Sequence, residues 1–258
     1  MNYETLTYAL EDGIALITLN RPDVMNALTT QMRAEIEDAV KTGGQAARVV
    51  VLTGAGRAFC SGQDLGDRAN AGNLDLERTL RDEYTPMLNA IIDCPVPTIA
   101  AVNGAAAGAG ANLALACDVV IASDKAYFLQ AFTRIGLIPD AGGTYVMPRT
   151  MGMAKAMGAA LFADKISARD ADAWGLIWEA VEDEAFDAQW RARATHLATG
   201  PTKAFAAAKR VIRASWHNDL EAQLAVEATE QGDCGQSRDF REGVLAFVEK
   251  RKPDFEGR

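Results

Sequence analysis

Asp140 is the residue of this chain best placed to act as an acid or base. It stands in the run Arg134-Ile135-Gly136-Leu137-Ile138-Pro139-Asp140-Ala141-Gly142-Gly143-Thr144. Apolar residues precede it, Pro139 fixes the backbone just before it, and small residues follow. A carboxylate in such surroundings loses hydration, which disfavours its charged form and makes it a stronger base near neutral pH. An aspartate before a helix is also a common N-cap, which needs no chemistry. Both readings stand on this segment alone. Two glycine-bearing segments upstream favour chemistry. Ser61-Gly62-Gln63-Asp64 follows a strand, and Gly108-Ala109-Gly110 opens a helix. Each can bring bare main chain to a ligand and aim N–H groups at it. Two such donors on one oxygen form an oxyanion hole for charge developing on a carbonyl. With Asp140 as base, the set suits proton abstraction beside a thioester or similar carbonyl. Close helix packing accounts for the small residues equally well.

Other motifs fail. Gly108-Ala109-Gly110 is not a dinucleotide fingerprint, because the third glycine position is Leu113. His196 and His217, the only histidines, lie in helical-looking sequence without ligand spacing. They read as surface residues and support neither a metal site nor a Ser-His-Asp triad. Cys60, Cys94, Cys117 and Cys234 are far apart, which fits reduced thiols in a cytoplasmic protein.

The elements that must position these residues are legible as periods. Apolar β-branched runs at 5–10 and 13–19 flank a hairpin turn. Helical spacing follows over 28–42, and Gly43-Gly44 is expected to end it. Residues 48–53 form an unbroken apolar run, as in a strand covered on both faces. Polar residues 66–74 read as a loop. A helix then carries Leu76, Leu80, Tyr84, Leu88 and Ile91 in register. Further strands are expected at 97–102, 118–123 and 126–130, and a last one at 177–181. The rest from Thr150 onward reads as helix. Three strand-turn-helix units with glycines at the turns argue for an α/β protein of stacked ββα or βαβ layers. The last four helices form a separate helical layer suited to self-association.

The 258 residues are 49% hydrophobic and 24% charged, an ordinary globular composition. A net charge of −9 without a basic stripe argues against nucleic acid or an anionic membrane as partner. No run reaches the roughly 18 apolar residues of a membrane span.

Five pieces in order, ALITLNRPDVMNAL, AFCSGQDL, AVNGAAAGAGANLALACDVVIAS, IGLIPDAGGT and REGVLAFVEKRKPDF, resemble the enoyl-CoA hydratase/isomerase (crotonase) superfamily over nearly the whole chain. The resemblance implies a ββα-spiral core over residues 1–198. It implies a helical oligomerisation region over 199–258, trimers, and often a dimer of trimers. It implies an acyl-CoA substrate, with CoA part of the substrate and no further cofactor. The thioester oxygen would sit between the N–H groups of Gln63 and Ala109, with Gly110 the alternative to Ala109. Met25, Ala27, Ala58, Ser61, Asp64, Leu65, Gly110, Phe132, Leu137 and Phe255 fall at positions that would contact substrate or CoA. Arg21, Lys250 and Arg251 are candidates for the CoA phosphates, but solvated surface charge is the favoured reading of each. Asp64 is expected to bond its own loop.

The departures narrow the chemistry. Hydratases of this family add water with two glutamates; the matching positions here are Asn112 and Phe132. Asp140 stands where family isomerases place a catalytic aspartate. One carboxylate can take a proton from one carbon and return it to another. AFTRIGLIPDAGGT and the ending of the chain look most like isomerases that open the ring epoxide of a phenylacetyl-CoA. Straight-chain Δ3,Δ2-enoyl-CoA isomerisation is the second reading, and a non-catalytic acyl-CoA-binding scaffold the third.

Overall fold

The computed structural model describes residues 2–66 and 75–258. The expected loop at 66–74 therefore lies, from position 67 onward, outside the described residues. Strands β1 (Leu6–Glu11) and β2 (Ile14–Leu19) form the expected hairpin. Next come α1 (Thr30–Ala46), β3 (Val49–Gly54) and β4 (Ala58–Cys60). α2 (Leu76–Thr79), a π-helical turn (Leu80–Tyr84) and α3 (Thr85–Ile92) run on as one helical stretch. Then follow β5 (Thr98–Val102), β6 (Ala105–Ala107), α4 (Ala109–Ala116), β7 (Val119–Ser123) and β8 (Tyr127–Leu129).

The topology is a spiral. Each turn gives one strand to a six-stranded sheet ordered β1-β2-β3-β5-β7-β10 and the next to a four-stranded sheet ordered β4-β6-β8-β9. A helix then returns the chain. β3, β5 and β7 are parallel neighbours, as are β4, β6 and β8. The turns β3–β4 and β5–β6 therefore stack, and the segments after β4 and β6 come to lie side by side.

The remaining elements are α5 (Gly143–Thr150), α6 (Gly152–Phe162), β9 (Ile166–Ser167), α7 (Ala168–Ala173), β10 (Glu179–Val181) and α8 (Asp183–Thr199). After them come α9 (Thr202–Ala214), α10 (Leu220–Gly235) and α11 (Arg238–Glu249). Phe186, Trp190, Ala194 and Ala198 of α8 cover Val49, Val51, Ile99, Ala101 and Ile121 on one face of the large sheet. The main core fills the other face. That is why β3 reads as an unbroken apolar run.

Several expectations need correction. α1 does not stop at Gly43-Gly44 but continues to Ala46. A Cβ on Gly43 would lie 2.8 Å from Ala15, and one on Gly44 2.9 Å from Pro95. The pair lets the helix approach its neighbours instead of capping it. α5 and the three-residue strands β4 and β6 lack a readable period, being shorter than the windows on which periodicity rests. His217 lies in the turn after α9, where its Nε2 meets the Tyr145 hydroxyl at 2.7 Å.

Two amides, Asn26 buried and Asn103 half-buried, hold the turns in place. Asn26 is fully buried and left-handed at φ 56°. Its Nδ2 donates to the carbonyls of Ala55, Ala58 and Phe59, and its Oδ1 accepts from the Arg21 N–H at 2.9 Å. Asn103 Nδ2 donates to the carbonyls of Gly54 at 2.8 Å and Gly56 at 2.9 Å. Each bond is worth about 1 kcal/mol net, and leaving these carbonyls bare would cost more.

Candidate active site

Segment 61–64 is fixed as a short parallel bridge beside segment 25–28. The Ser61 N–H donates to Met25 O at 3.0 Å, Leu28 N–H to Gly62 O at 2.8 Å, and Asp64 N–H to Leu28 O at 3.1 Å. Gln63 pairs with Leu28 in this bridge. The flanking groups Gly62 O and Asp64 N bond Leu28, so the Gln63 N–H points to the other side. It has no main-chain partner among the described residues. Ala109 is the first residue of α4, where an N–H has no intrahelical acceptor. The two segments touch: a Cβ on Gly62 would lie 2.7 Å from Ala107 O and 3.4 Å from Ala109 N. Gly62, at φ 92°, has no room for a side chain. Gly110 has a different task. A Cβ there would come within 2.3 Å of Cys60 O, so this glycine seats α4 on β4.

Asp140, three residues ahead of α5, is tied to α4, the helix that Ala109 opens. It is half-buried, and its Oδ1 is buried without a hydrogen-bond partner. The helix cap is Gly142, with no side-chain bond, so the N-cap reading does not hold. Burial alone raises the carboxyl from 3.8 to about 6. Ala141 and Gly142 are both left-handed, at φ 49° and 85°, and turn the chain sharply after it. Asn112, one turn into α4 from Ala109, donates from Nδ2 to Asp140 O at 2.7 Å. It also exchanges hydrogen bonds with buried Gln130, at 2.9 and 3.2 Å. Asn112 thus holds the main chain of the base and does not itself face a reacting water. A Cβ on Gly143 would strike the Asn112 amide at 2.5 Å. Phe132 is buried, and its ring tip lies 3.8 Å from where a Gly108 Cβ would be.

Within one chain, several of the expected residues lie along these segments and others lie apart from them. Met25 is left-handed at φ 52° and partly exposed at the rim, and Ser61 Oγ bonds Val24 O at 3.3 Å. Ala27 and Ala58 are buried. Leu65 is exposed and Leu137 half-buried. Asp64 does bond its own loop, through the Gly66 N–H at 2.9 Å. It also holds Arg21 at 2.7 Å, and Arg21 bonds Ala27 O as well, so Arg21 serves this turn. Arg251 is paired with Glu242 and Glu249. Within its own chain Phe255 lies apart from this cluster. Its carbonyl accepts from Arg48 at 3.1 Å, at the amino end of β3, whereas Gln63 follows the carboxyl end.

Sequence reasoning did not single out Tyr84, Arg33 or Gln130. The fully buried Tyr84 donates its hydroxyl to Gln63 Oε1 at 3.0 Å. Desolvation raises the Tyr84 hydroxyl, and the nearby Asp140 charge adds to that rise. A tyrosine on an apolar helix stripe needs a partner for its hydroxyl, and that was the available signal. A groove of about 340 Å³ between α1 and α3, lined by Glu37, Lys41, Asn89 and Asp93, shares no residue with this site.

Residues 9–258 match the family model described as enoyl-CoA hydratase/isomerase. Over 258 residues the chain is 62% identical to a "Probable enoyl-CoA hydratase" of Rhodobacter capsulatus, covering 100% of both chains. It is 43% identical to the 1,2-epoxyphenylacetyl-CoA isomerase of Escherichia coli, covering 96% of this chain and 97% of that one. The solved enoyl-CoA hydratase of Bacillus anthracis superposes with a TM-score of 0.91 at 31% identity, over 99% of this chain and 100% of that one. With the spiral of paired strands, these likenesses establish that the chain belongs to the enoyl-CoA hydratase/isomerase family.

Proposed function

We propose that this protein is an acyl-CoA isomerase that converts the ring epoxide of a phenylacetyl-CoA to its oxepin isomer. One observation carries the reading: among the described residues the site offers a single desolvated carboxylate, Asp140, whose Oδ1 has no partner. The thioester oxygen lies between the N–H groups of Gln63 and Ala109. Asp140 takes a proton from the carbon beside the thioester, and the enolate oxygen is held by those two donors. Opening the carbon–carbon bond that the epoxide bridges and returning the proton completes an isomerisation. No atom is gained or lost, so no second acid–base group is required. Phe132, Leu137 and Met25 line the acyl side. The likeness to the Escherichia coli isomerase supports this substrate class. A Δ3-enoyl-CoA offers the same acidic position, and its shift to Δ2 is the second reading. A bare scaffold is disfavoured, because burying a carboxylate is costly without a use for it. Assay of the purified protein on both substrates tests the proposal; turnover of neither would end it.

The Rhodobacter capsulatus relative bears a hydratase name, but Asn112 and Phe132 argue against water addition here. Asn112 is committed to Gln130 and the Asp140 main chain, and Phe132 keeps that side dry. Hydration of crotonyl-CoA is expected to run at least about 10²-fold below isomerisation in the same preparation. Comparable rates would refute the assignment.

The helical region 199–258 is proposed to join copies of the chain into trimers, themselves paired into hexamers. Leu220 and Phe247 are 75% and 85% exposed, and Leu224, Val244 and Val248 are open beside them. Apolar faces of this extent on α10 and α11 call for a cover. Sedimentation at micromolar concentration should give a species of three or six times 27.6 kDa. A single monomeric boundary would overturn the assembly.

A further inference from the structure

The main chain of Gln63 does not account for its side chain. Two residues outside the expected site, Arg33 and Tyr84, form a directed hydrogen-bond series that ends on that side chain. Arg33 is 1% exposed although charged, and is held by an ion pair to Glu83 and by Leu28 O at 2.9 Å. Its guanidinium lies 4.7 Å from the centre of the Tyr84 ring, and Nη1 donates to the Tyr84 hydroxyl at 3.4 Å. An arginine can only donate, so the hydroxyl proton is left to go onward. It goes to Gln63 Oε1 at 3.0 Å. Tyr84 is the last residue of the π-helical turn, and the extra residue in that turn sets where the ring falls.

The series fixes which way the amide faces. Because Tyr84 must donate, the atom it meets on Gln63 must be the carbonyl oxygen. The NH₂ group then points away from Tyr84, and it meets no acceptor among the described residues. The site thus contains a donor without an acceptor at Gln63. It also contains an acceptor without a donor at Asp140 Oδ1. Tyr84, which holds the Gln63 amide, also lies within reach of the Asp140 charge, so the amide and the base share one neighbour.

We propose that the Gln63 side-chain NH₂, held by Tyr84 and Arg33, is the specificity determinant that selects acyl groups carrying a hydrogen-bond-accepting oxygen close to the thioester. Gln63 then serves twice: its main-chain N–H takes the thioester oxygen and its amide takes an oxygen on the acyl group. Tyr84 is a positioning residue, acting only through Gln63. The inference rests on the thioester placement proposed above, but not on turnover. A site that presents a fixed polar group discriminates strongly against the analogue that leaves the group unpaired.

Two ligands without an epoxide or a double bond test it by titration calorimetry, each also on the Asp140→Asn background, where no base can act on them: tetrahydrofuran-2-ylacetyl-CoA and cyclopentylacetyl-CoA, which differ by one ring oxygen in place of a methylene. The intact protein should bind the ether about tenfold more tightly. Gln63→Leu should reduce that preference to about twofold or less. Gln63→Glu keeps the acceptor for Tyr84 but replaces the donor with a carboxylate oxygen, and should invert the preference. Tyr84→Phe should lower it as Gln63→Leu does, by freeing the amide. No preference in the intact protein, or a preference that survives Gln63→Leu, would overturn the proposal. Should Tyr84→Phe not fold, the two Gln63 variants decide alone. Ether selectivity in a protein that isomerises neither CoA ester would uphold this inference while ending the isomerase reading.

Discussion

An Asp140→Asn protein is expected to keep its fold and bind CoA thioesters while isomerising them about 10²–10⁴-fold more slowly. The magnitude follows from the loss of a general base with no substitute beside it among the described residues. Asn112 is committed to Gln130 and the Asp140 main chain, and Phe132 has no proton to exchange. Asparagine matches aspartate in size, and the Oδ1 it replaces has no hydrogen bond to lose. The base must be ionised to act, so kcat/KM of the parent should rise with pH through about 6, where burial places the carboxyl. Stability runs the opposite way. The folded value lies above the ordinary 3.8, so the folded state holds the proton more tightly than the unfolded chain. That contribution is fully present below about 4 and is lost as pH rises through about 6. At pH 8 the variant should therefore melt no lower than the parent. Near-normal turnover in the variant, or a rate flat between pH 5 and 7, would show that Asp140 is not the base.

Ala109→Pro is expected to lower turnover by about 10²–10³, the usual consequence of losing one oxyanion donor. The substitution deletes an N–H at a place that tolerates it. Ala109 is the first residue of α4, where proline is accepted because that N–H has no helical partner. The preceding Gly108, at φ 54° and ψ −129°, lies outside the region that a following proline forbids. The ring would set its Cδ where the donor stood. Circular dichroism and melting temperature would report the fold, and initial rates the loss. A folded variant with unaltered rates would place the second donor elsewhere, with the Gly110 N–H as the alternative.

Much of the site could be read from the chain itself. Asp140 stood out by its apolar approach, and the segments holding Gln63 and Ala109 by glycines where bare main chain must pass. These are local properties of φ, side-chain volume and hydration, and a sequence states them directly. The apolar run of β3 likewise announced a strand covered on both sides, which α8 and the main core provide. Other features were decided only by packing. Gly43-Gly44 has the composition of a helix end but lies inside α1, because Ala15 and Pro95 crowd that face. Asp140 has the composition of an N-cap, yet Gly142 caps α5 and leaves the carboxylate alone. Arg21 could have faced a phosphate, but Asp64 and Ala27 O hold it against the turn. Nothing in the spacing of Arg33, Gln63 and Tyr84 foretold their series. Successive members lie 51 and 21 residues apart along the chain and meet only because the helical stretch after β4 folds back on α1. A hydrogen bond between distant residues leaves no period in a sequence. Its direction, which fixes how Gln63 faces the pocket, comes from the one-way donation of a buried guanidinium.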